Sequence, residues 1–229
     1  MVNEILKVDS SRNYMIRLLA YSYFEQGDSL AARNMMNKYF SKALPEKIIY
    51  SDYQYMGKIN IKFGQDSLAY LNYEKAIASD STKVDLYNEL ATLYYSKAKY
   101  LDAARIYSKK LTKLDRPSLQ NYFDIAFAYY KGQDYKKAII AFGKISEKWP
   151  DRLEGHIYQA RSAAFLDPES TQKLASPYYT KVIEKGEVDP VKYKDYLNEA
   201  YSYMYYLAFN DKDKATAKGY ADKMLKATE

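Results

Sequence analysis

Two neighbouring stretches of this chain carry the same residue pattern and decide its fold. Residues 84–117 read VDLYNELATLYYSKAKYLDAARIYSKKLTKLDRP, and residues 119–152 read LQNYFDIAFAYYKGQDYKKAIIAFGKISEKWPDR. Equivalent positions lie 35 residues apart: Tyr87 and Tyr122, Leu90 and Ile125, Ala91 and Ala126, Tyr94 and Tyr129, Tyr100 and Tyr135, Ala103 and Ala138, Tyr107 and Phe142. A fixed period of this length predicts a protein built from stacked repeats.

Each repeat is predicted to be a pair of helices joined by a short turn. Tyr87, Leu90, Ala91 and Tyr94 follow the i, i+3, i+4, i+7 spacing of one helix face. A single helical hairpin cannot bury its apolar face, so neighbouring hairpins must stack. The alanines are expected where helices approach closely, and enlarging Ala103 or Ala138 should cost roughly 1–3 kcal/mol. Gly57, inside a predicted helix, indicates another close helix contact.

The pattern resembles the tetratricopeptide repeat. The residues that carry the resemblance are Tyr122, Ile125, Ala126, Tyr129, Gly132, Asp134, Tyr135, Ala138, Phe142 and the closing Pro150. Tyr122 replaces the family's usual Trp, and Lys110 and Ile145 stand where a second small residue is common. The resemblance implies an all-α, right-handed superhelical α-solenoid of about six repeats with a leading partial one. The pentatricopeptide repeat, an RNA reader, shares the period but lacks this signature, so RNA binding is the more remote alternative.

The register divides the whole chain into one array. The units are residues 13–46, 50–83, 84–117, 119–152, 153–189 and 191–229, with irregular turns in the last two. Pro45, Pro117, Pro150 and Pro190 fall between units, where a residue that cannot continue a helix belongs. Residues 1–10 resemble the end of a preceding repeat, which predicts a helix there, with Ile5 and Leu6 packed on the next helix, and a longer parent chain.

Composition excludes several classes of site. The 229 residues contain 28 Tyr, one His and no Cys, and carry a net charge of +6. Without cysteine there is no disulfide and no thiolate ligand, which fits a reducing or an oxidising compartment equally. The lysines of residues 212–226 alternate with acids, so a solvated helix face explains them better than a nucleic-acid patch. No apolar run reaches the ~20 residues of a membrane span.

No residue pattern indicates catalysis. His156 is the only histidine and occupies a helix-packing position, which favours a structural imidazole over a metal ligand. The chain has no glycine-rich phosphate loop and no nucleophile elbow, since Gly64 and Gly132 are isolated turn glycines. We therefore expect a protein that is not an enzyme, with no cofactor and no metal site.

The resemblance implies a partner site instead. In the family, the first helices of the repeats line a concave groove that binds peptides or protein segments. The groove positions carried over by register are Arg17, Tyr21, Phe24, Lys58, Asn88, Tyr95, Phe123, Phe127, Tyr130 and Arg161. Further positions in the same register are Gln54, Ile61, Asp85, Thr92, Gln120, Glu154, Ile157, Ala164, Leu197, Tyr201 and Met204.

Three of these residues form an apolar stripe that the hairpin core does not require. Phe123, Phe127 and Tyr130 share one helix face, and Tyr95 is expected to extend it from the preceding unit. Exposed aromatic rings in a groove are typical of binding anchors. The alternative interpretation is that a neighbouring helix covers them.

The expected partner is a protein or peptide, with two further alternatives considered. A clamp for acidic chaperone tails is rejected, because Glu89 and Asp124 would repel a carboxylate at its centre. A module binding glycans or cell-envelope polymers would show flat tyrosine rings exposed side by side. The units resemble those of bacterial envelope-associated arrays, which favours the periplasm or envelope and leaves the cytoplasm open.

Overall fold

A computed structural model describes residues 13–226 of the chain. These residues contain twelve α-helices and no strand. The helices are α1 (Asn13–Glu25), α2 (Ser29–Phe40), α3 (Tyr50–Lys62), α4 (Asp66–Ser79), α5 (Val84–Ser96), α6 (Tyr100–Leu111), α7 (Leu119–Lys131), α8 (Tyr135–Lys148), α9 (Glu154–Leu166), α10 (Ser176–Gly186), α11 (Lys194–Asn210) and α12 (Lys214–Lys226). The helix predicted at residues 1–10 lies outside the described part of the chain.

The predicted hairpins are confirmed as consecutive helix pairs, α1–α2 through α11–α12. All four prolines between the predicted units lie outside the α-helices, and Pro45 opens a short 3-10 helix, Pro45–Lys47. The chain forms two compact units, the first ending at Thr92 and the second beginning at Leu93. The first unit holds the two hairpins α1–α2 and α3–α4, and the helices from α6 onward belong to the second.

Small residues let the helices of the first unit approach closely. Ala20 and Ala32 are fully buried and pack in one cluster with Met36 and Ile59. Gly57 lies against Tyr73, and a Cβ atom added there would meet the tyrosine ring at 3.0 Å. The prediction that Gly57 marks a close helix contact is therefore confirmed.

The second unit repeats this packing. Ala103 and Ala138 are both fully buried, as predicted. Ala138 shares a core cluster with Phe142 and Ile145 of the same helix. Further along, Leu197 packs in a separate cluster of α9, α10 and α11. The core therefore consists of successive helix contacts along the chain, which is how stacked repeats bury their apolar faces.

Except in the long α9–α10 loop, each hairpin turn places one residue in the left-handed region, two positions before its second helix. Gly27 and Gly64 do so with φ of +87° and +67°. In α7–α8 the residue in this conformation is Gln133, with φ of +61°, and not the neighbouring Gly132. Gly132 instead lies close to α6, and the Leu101 side chain would have to move for a Cβ there, which would lie 2.6 Å from it. Asp134 then caps α8 by accepting a hydrogen bond from the Lys137 amide at 3.2 Å.

The irregular turn predicted after α9 is organised around a buried carboxylate. Asp167 is 5% exposed and accepts hydrogen bonds from the backbone amides of Gln172 at 3.0 Å and Leu174 at 3.3 Å. These bonds hold residues 167–175 in a compact loop, so α10 begins at Ser176. Ala175, predicted inside this helix, lies just before it.

Candidate functional site

The predicted partner-binding residues lie on the first helices of the hairpins. We call this surface the first-helix face of each unit. In the first unit it contains Arg17, Tyr21 and Phe24 of α1 with Tyr55 and Lys58 of α3. In the second unit it contains Phe123, Phe127 and Tyr130 of α7 with Tyr158 and Arg161 of α9. Asn88 is exposed on α5, and Tyr95 packs edge-on against Tyr100 at 5.0 Å.

Three predicted positions in the same register are wrong. Ile157 is fully buried, Leu197 is 1% exposed and Tyr201 is 5% exposed. All three belong to the core cluster of α9, α10 and α11. Ile157 stands 35 residues after Tyr122, an inward position, whereas the same offset from Phe123 leads to the half-buried Tyr158. The predicted positions of the fifth repeat are therefore displaced by one residue.

In the first unit, Tyr55 joins the predicted residues of α1. Its ring stacks on Tyr21 with centroids 3.9 Å apart and meets Phe24 edge-on at 5.7 Å. The Lys58 ammonium lies 5.5 Å from the centre of the same ring. Sequence analysis missed Tyr55, although it lies three residues before Lys58 and therefore on the same face of α3.

A fully buried carboxylate is hydrogen-bonded to the Tyr21 hydroxyl of this aromatic group. Asp52 accepts hydrogen bonds from the Tyr21 hydroxyl at 2.5 Å, the Tyr39 hydroxyl at 3.2 Å and the Ile49 amide at 2.8 Å. The Arg17 guanidinium lies 3.7 Å away. Burial, followed by the hydrogen bond to Asp52, raises the pKa of Tyr21 far above its usual range. Arg17 is thus committed to an internal charge, which its predicted groove position did not reveal.

The same arrangement recurs at Glu89 on α5. Glu89 accepts hydrogen bonds from the Gln54 amide and the Tyr73 hydroxyl, both at 2.8 Å, and lies 3.6 Å from the Lys58 ammonium. Burial and the charge of Glu89 raise the pKa of Tyr73 well above its ordinary value. Glu89, one of the two acids that make a chaperone-tail clamp unfavourable, is therefore paired with residues of the first unit.

Glu199 on α11 completes the pattern in the second unit. Arg161 donates to its carboxylate through Nε at 2.9 Å and a terminal nitrogen at 2.6 Å. Tyr179 of α10 donates its hydroxyl at 2.9 Å. In all three cases, a carboxylate on one first helix is held by a cation on the preceding first helix and a tyrosine hydroxyl on the intervening second helix.

The pattern changes between α8 and α9, where both partners are replaced together. Phe142 stands 35 residues after Tyr107, and Gln159 stands 35 residues after Asp124. Gln159 uses its amide locally, donating to the Ile139 carbonyl at 3.3 Å. Because Gln159 is not a carboxylate, no tyrosine hydroxyl is required as a donor at this interface. The buried Phe142 ring occupies the equivalent position and packs against other aromatic rings.

The predicted stripe of Phe123, Phe127 and Tyr130 is part of this aromatic cluster. The Phe127 ring meets Phe142 at 5.3 Å and Tyr158 at 4.7 Å, both edge-on. All three stripe residues are half-buried and pack against the core. The alternative interpretation, that a neighbouring helix covers them, therefore applies in part, because Tyr158 of the following first helix packs against Phe127 and Tyr130. Their role in binding stays a prediction.

Few other features of the described residues indicate a ligand. Between residues 13 and 226, no group of three or more His, Asp or Glu side chains could hold a metal ion. No helix in that range is long and apolar enough to cross a membrane. His156 is half-buried, and burial with the nearby Lys185 and Lys181 lowers the pKa of its imidazole.

The buried tyrosine–carboxylate pairs predict sensitivity to alkali. Because the pKa of Tyr73 is raised above its ordinary 10.0, the unfolded chain releases this proton before the folded chain does. Stability from this pair is fully present below pH 10 and is lost as pH rises above it. Tyr73→Phe should have a lower free energy of unfolding than wild type at neutral pH. For each pH unit above 10, however, its free energy of unfolding should fall by about 1.4 kcal/mol less than that of wild type.

Urea unfolding followed by circular dichroism between pH 8 and 11.5 measures this difference. Tyr14→Phe is the matched control, because it removes an exposed hydroxyl. Parallel pH profiles for wild type and Tyr73→Phe would contradict the prediction.

Comparison with known proteins identifies similar structures. The C-terminal part of a TPR repeat-containing protein from Cytophaga hutchinsonii is 32% identical; the alignment covers 99% of this chain and 87% of that one, with a TM-score of 0.59. A structure of MamA is 22% identical over 64% of this chain and 78% of its own, with a TM-score of 0.52, a similarity of fold alone. Neither indicates a catalytic family. No family model and no curated protein matches the chain.

Proposed function

The chain belongs to the tetratricopeptide repeat family, whose members are protein-interaction scaffolds, and we propose that its first-helix faces bind a peptide segment of a partner protein. The observation that carries this proposal is the grouping of aromatic rings on α7 and α9. Phe127, Tyr130 and Tyr158 are only half-buried, so their outer edges remain available to a ligand. Aromatic side chains in such positions are enriched among residues that dominate binding energy.

The charges of this surface support a partner that binds through apolar side chains. Arg17, Lys58 and Arg161 are each paired with a carboxylate of the following first helix. An acidic peptide would have to compete with these internal partners, each of which also accepts a hydrogen bond from a tyrosine hydroxyl. We therefore propose a segment with aliphatic or aromatic anchor residues and little net negative charge.

Ring geometry gives less support to glycan binding. The parallel pairs with the shortest centroid distances are Tyr21 on Tyr55, Tyr135 on Phe165 and Phe142 on Tyr158. In each pair one ring covers a face of the other, whereas a sugar-binding platform needs open faces. A peptide ligand can use ring edges and is the function that we favour.

Phe127→Ala tests the proposal. A fully buried phenylalanine would cost about 3–5 kcal/mol, so this half-buried ring should cost less and the variant should still fold. Partner binding should weaken by about 1 kcal/mol or more, as for a hot-spot residue. The measurements are the melting temperature and capture of partner proteins from a host extract, quantified by mass spectrometry.

Phe209→Ala is the matched control, since it removes a phenylalanine that is 65% exposed on α11. It should leave both readings close to wild type. If folded Phe127→Ala captures the same proteins as wild type at the same yield, the first-helix face of the second unit is not the binding site.

A further inference from the structure

A groove on the opposite side of α7 carries a different chemistry. It lies between the second helices α6 and α8, with α7 as its floor, and encloses about 340 Å³. Leu111, Ile125 and Ile140 line it together with the rings of Tyr122 and Tyr129. We call it the second-helix groove. Its volume lies at the lower end of ~300–1,000 Å³, the usual range of ligand pockets, and suits a few inserted side chains.

One wall of the groove exposes an aliphatic residue among lysines. Ile140 is 63% exposed on α8, although its neighbours on the helix surface are charged. Lys137 and Lys144 line the groove, and Lys148 lies over the floor ring of Tyr122 at 5.5 Å. These positions follow one side of α8, so three ammonium groups border a strip of apolar surface.

These lysines, unlike the cations of the first-helix face, are not neutralised by buried acids. No carboxylate lines the groove. Lys137 pairs with Asp134 at 2.7 Å, but its side chain is 60% exposed and such a pair contributes little. Lys144 forms no ion pair with any residue between 13 and 226. The border of the groove therefore has positive charge to offer a ligand.

The corresponding groove of the first unit shows that this composition is particular to one place. Between α2 and α4 the walls carry amide side chains, including Asn34, Asn37 and Asn72. Phe40, Tyr53, Met56 and Leu68 also line it, and its charged residues, Arg33 and Lys75, are positive as well. The two grooves differ in their polar lining, because five amide side chains line the groove of the first unit and none lines the second-helix groove.

We propose that the second-helix groove binds an acidic amphipathic helix of a protein partner. Its apolar residues, spaced three and four apart, would insert between α6 and α8 over Tyr122 and Tyr129. Glutamates or aspartates beside that apolar stripe would meet Lys137, Lys144 and Lys148. Charge complementarity selects this occupant, because the three ammonium groups would attract an acidic helix, would not attract a neutral one and would repel a basic one. The proposal is independent of the first-helix face.

The test uses two synthetic 18-residue helical peptides with the same leucine stripe, one with glutamate and one with lysine at the remaining positions. Titration into the isotopically labelled full chain, followed by NMR, locates the contact, and fluorescence anisotropy gives Kd. The glutamate peptide should shift the signals of Ile140 and its neighbours and bind more weakly as salt increases. The lysine peptide should not bind there.

Lys144→Glu should raise the Kd of the glutamate peptide about tenfold, since it replaces an attraction with a repulsion. Lys75→Glu, at the equivalent groove of the first unit, is the charge-matched control and should leave Kd unchanged. Both lysines are on the surface, and melting curves verify folding. Absence of shifts at the groove, equal binding of the two peptides, or an unchanged Kd in Lys144→Glu would each overturn the proposal.

Discussion

Replacing Asp52 with alanine is expected to lower the free energy of unfolding by about 3–5 kcal/mol. The side chain is fully buried and accepts hydrogen bonds from Tyr21, Tyr39 and the Ile49 amide. Removing it leaves the Tyr21 hydroxyl and the Ile49 amide without their acceptor, whereas the Tyr39 hydroxyl keeps the Lys47 carbonyl at 3.0 Å. It also leaves the partly buried Arg17 cation without its counter-charge, which is the costly way to break such a pair.

Asp102→Ala is the matched control. Asp102 is also the third residue of its helix, but its side chain is 48% exposed and pairs with Arg105 at 3.7 Å on the surface. Its loss should cost less than about 1 kcal/mol. Urea unfolding, with hydrogen exchange of the α1–α3 amides as a local readout, measures both variants. Similar small losses at both positions would show that the Asp52 cluster does not stabilise the first unit.

The recurring carboxylate clusters explain why charged residues appear on the first helices at all. Each cluster joins three helices from two successive hairpins, so it fixes how one hairpin sits on the next. Between α8 and α9, Phe142 and Gln159 stand at the positions of the tyrosine and the carboxylate, so a hairpin can also be joined to the next one without such a cluster. The polar version adds direction, because a hydrogen-bonded carboxylate tolerates little displacement of its donors.

The sequence predicted the helices and the alanine contacts well, because both follow directly from the repeat. A period of 35 residues determines which positions of each helix point inward, and Ala103 and Ala138 recur at one of them. Asp52 could not be recognised in this way. An acid near the start of a helix is normally a surface residue, and its partners Tyr21 and Tyr39 lie 31 and 13 residues away.

The candidate site was predicted less well for a related reason. The register shows which residues leave the hairpin core, but not what the next hairpin places over them. Phe127 lies at the edge of the α7–α8 core, against Phe142, and is covered in part by Tyr158 of α9. A residue can therefore lie outside the centre of its own hairpin, as the repeat pattern predicts, and still be half-buried by the next hairpin.

Gly155→Ala should destabilise the second unit by roughly 3 kcal/mol, the upper end of the usual cost of overpacking. Gly155 lies in the first turn of α9, directly against α8. An added Cβ would overlap the Ser146 hydroxyl and would lie 2.8 Å from the Ser146 backbone nitrogen and 3.1 Å from the Phe142 carbonyl oxygen. A side chain can rotate away, but these main-chain atoms belong to a packed helix, so α8 and α9 would have to separate.

The same substitution at Gly219 should increase stability instead of lowering it. Gly219 lies within α12, and nothing stands within 4 Å of the position that its Cβ would occupy. Alanine there should stabilise the helix by about 0.5–1 kcal/mol, because glycine loses more backbone freedom on folding. Melting temperatures of the two variants give the comparison. If Gly155→Ala is as stable as wild type, α8 and α9 do not approach as closely as the structure shows, and the aromatic cluster between them would need a different arrangement.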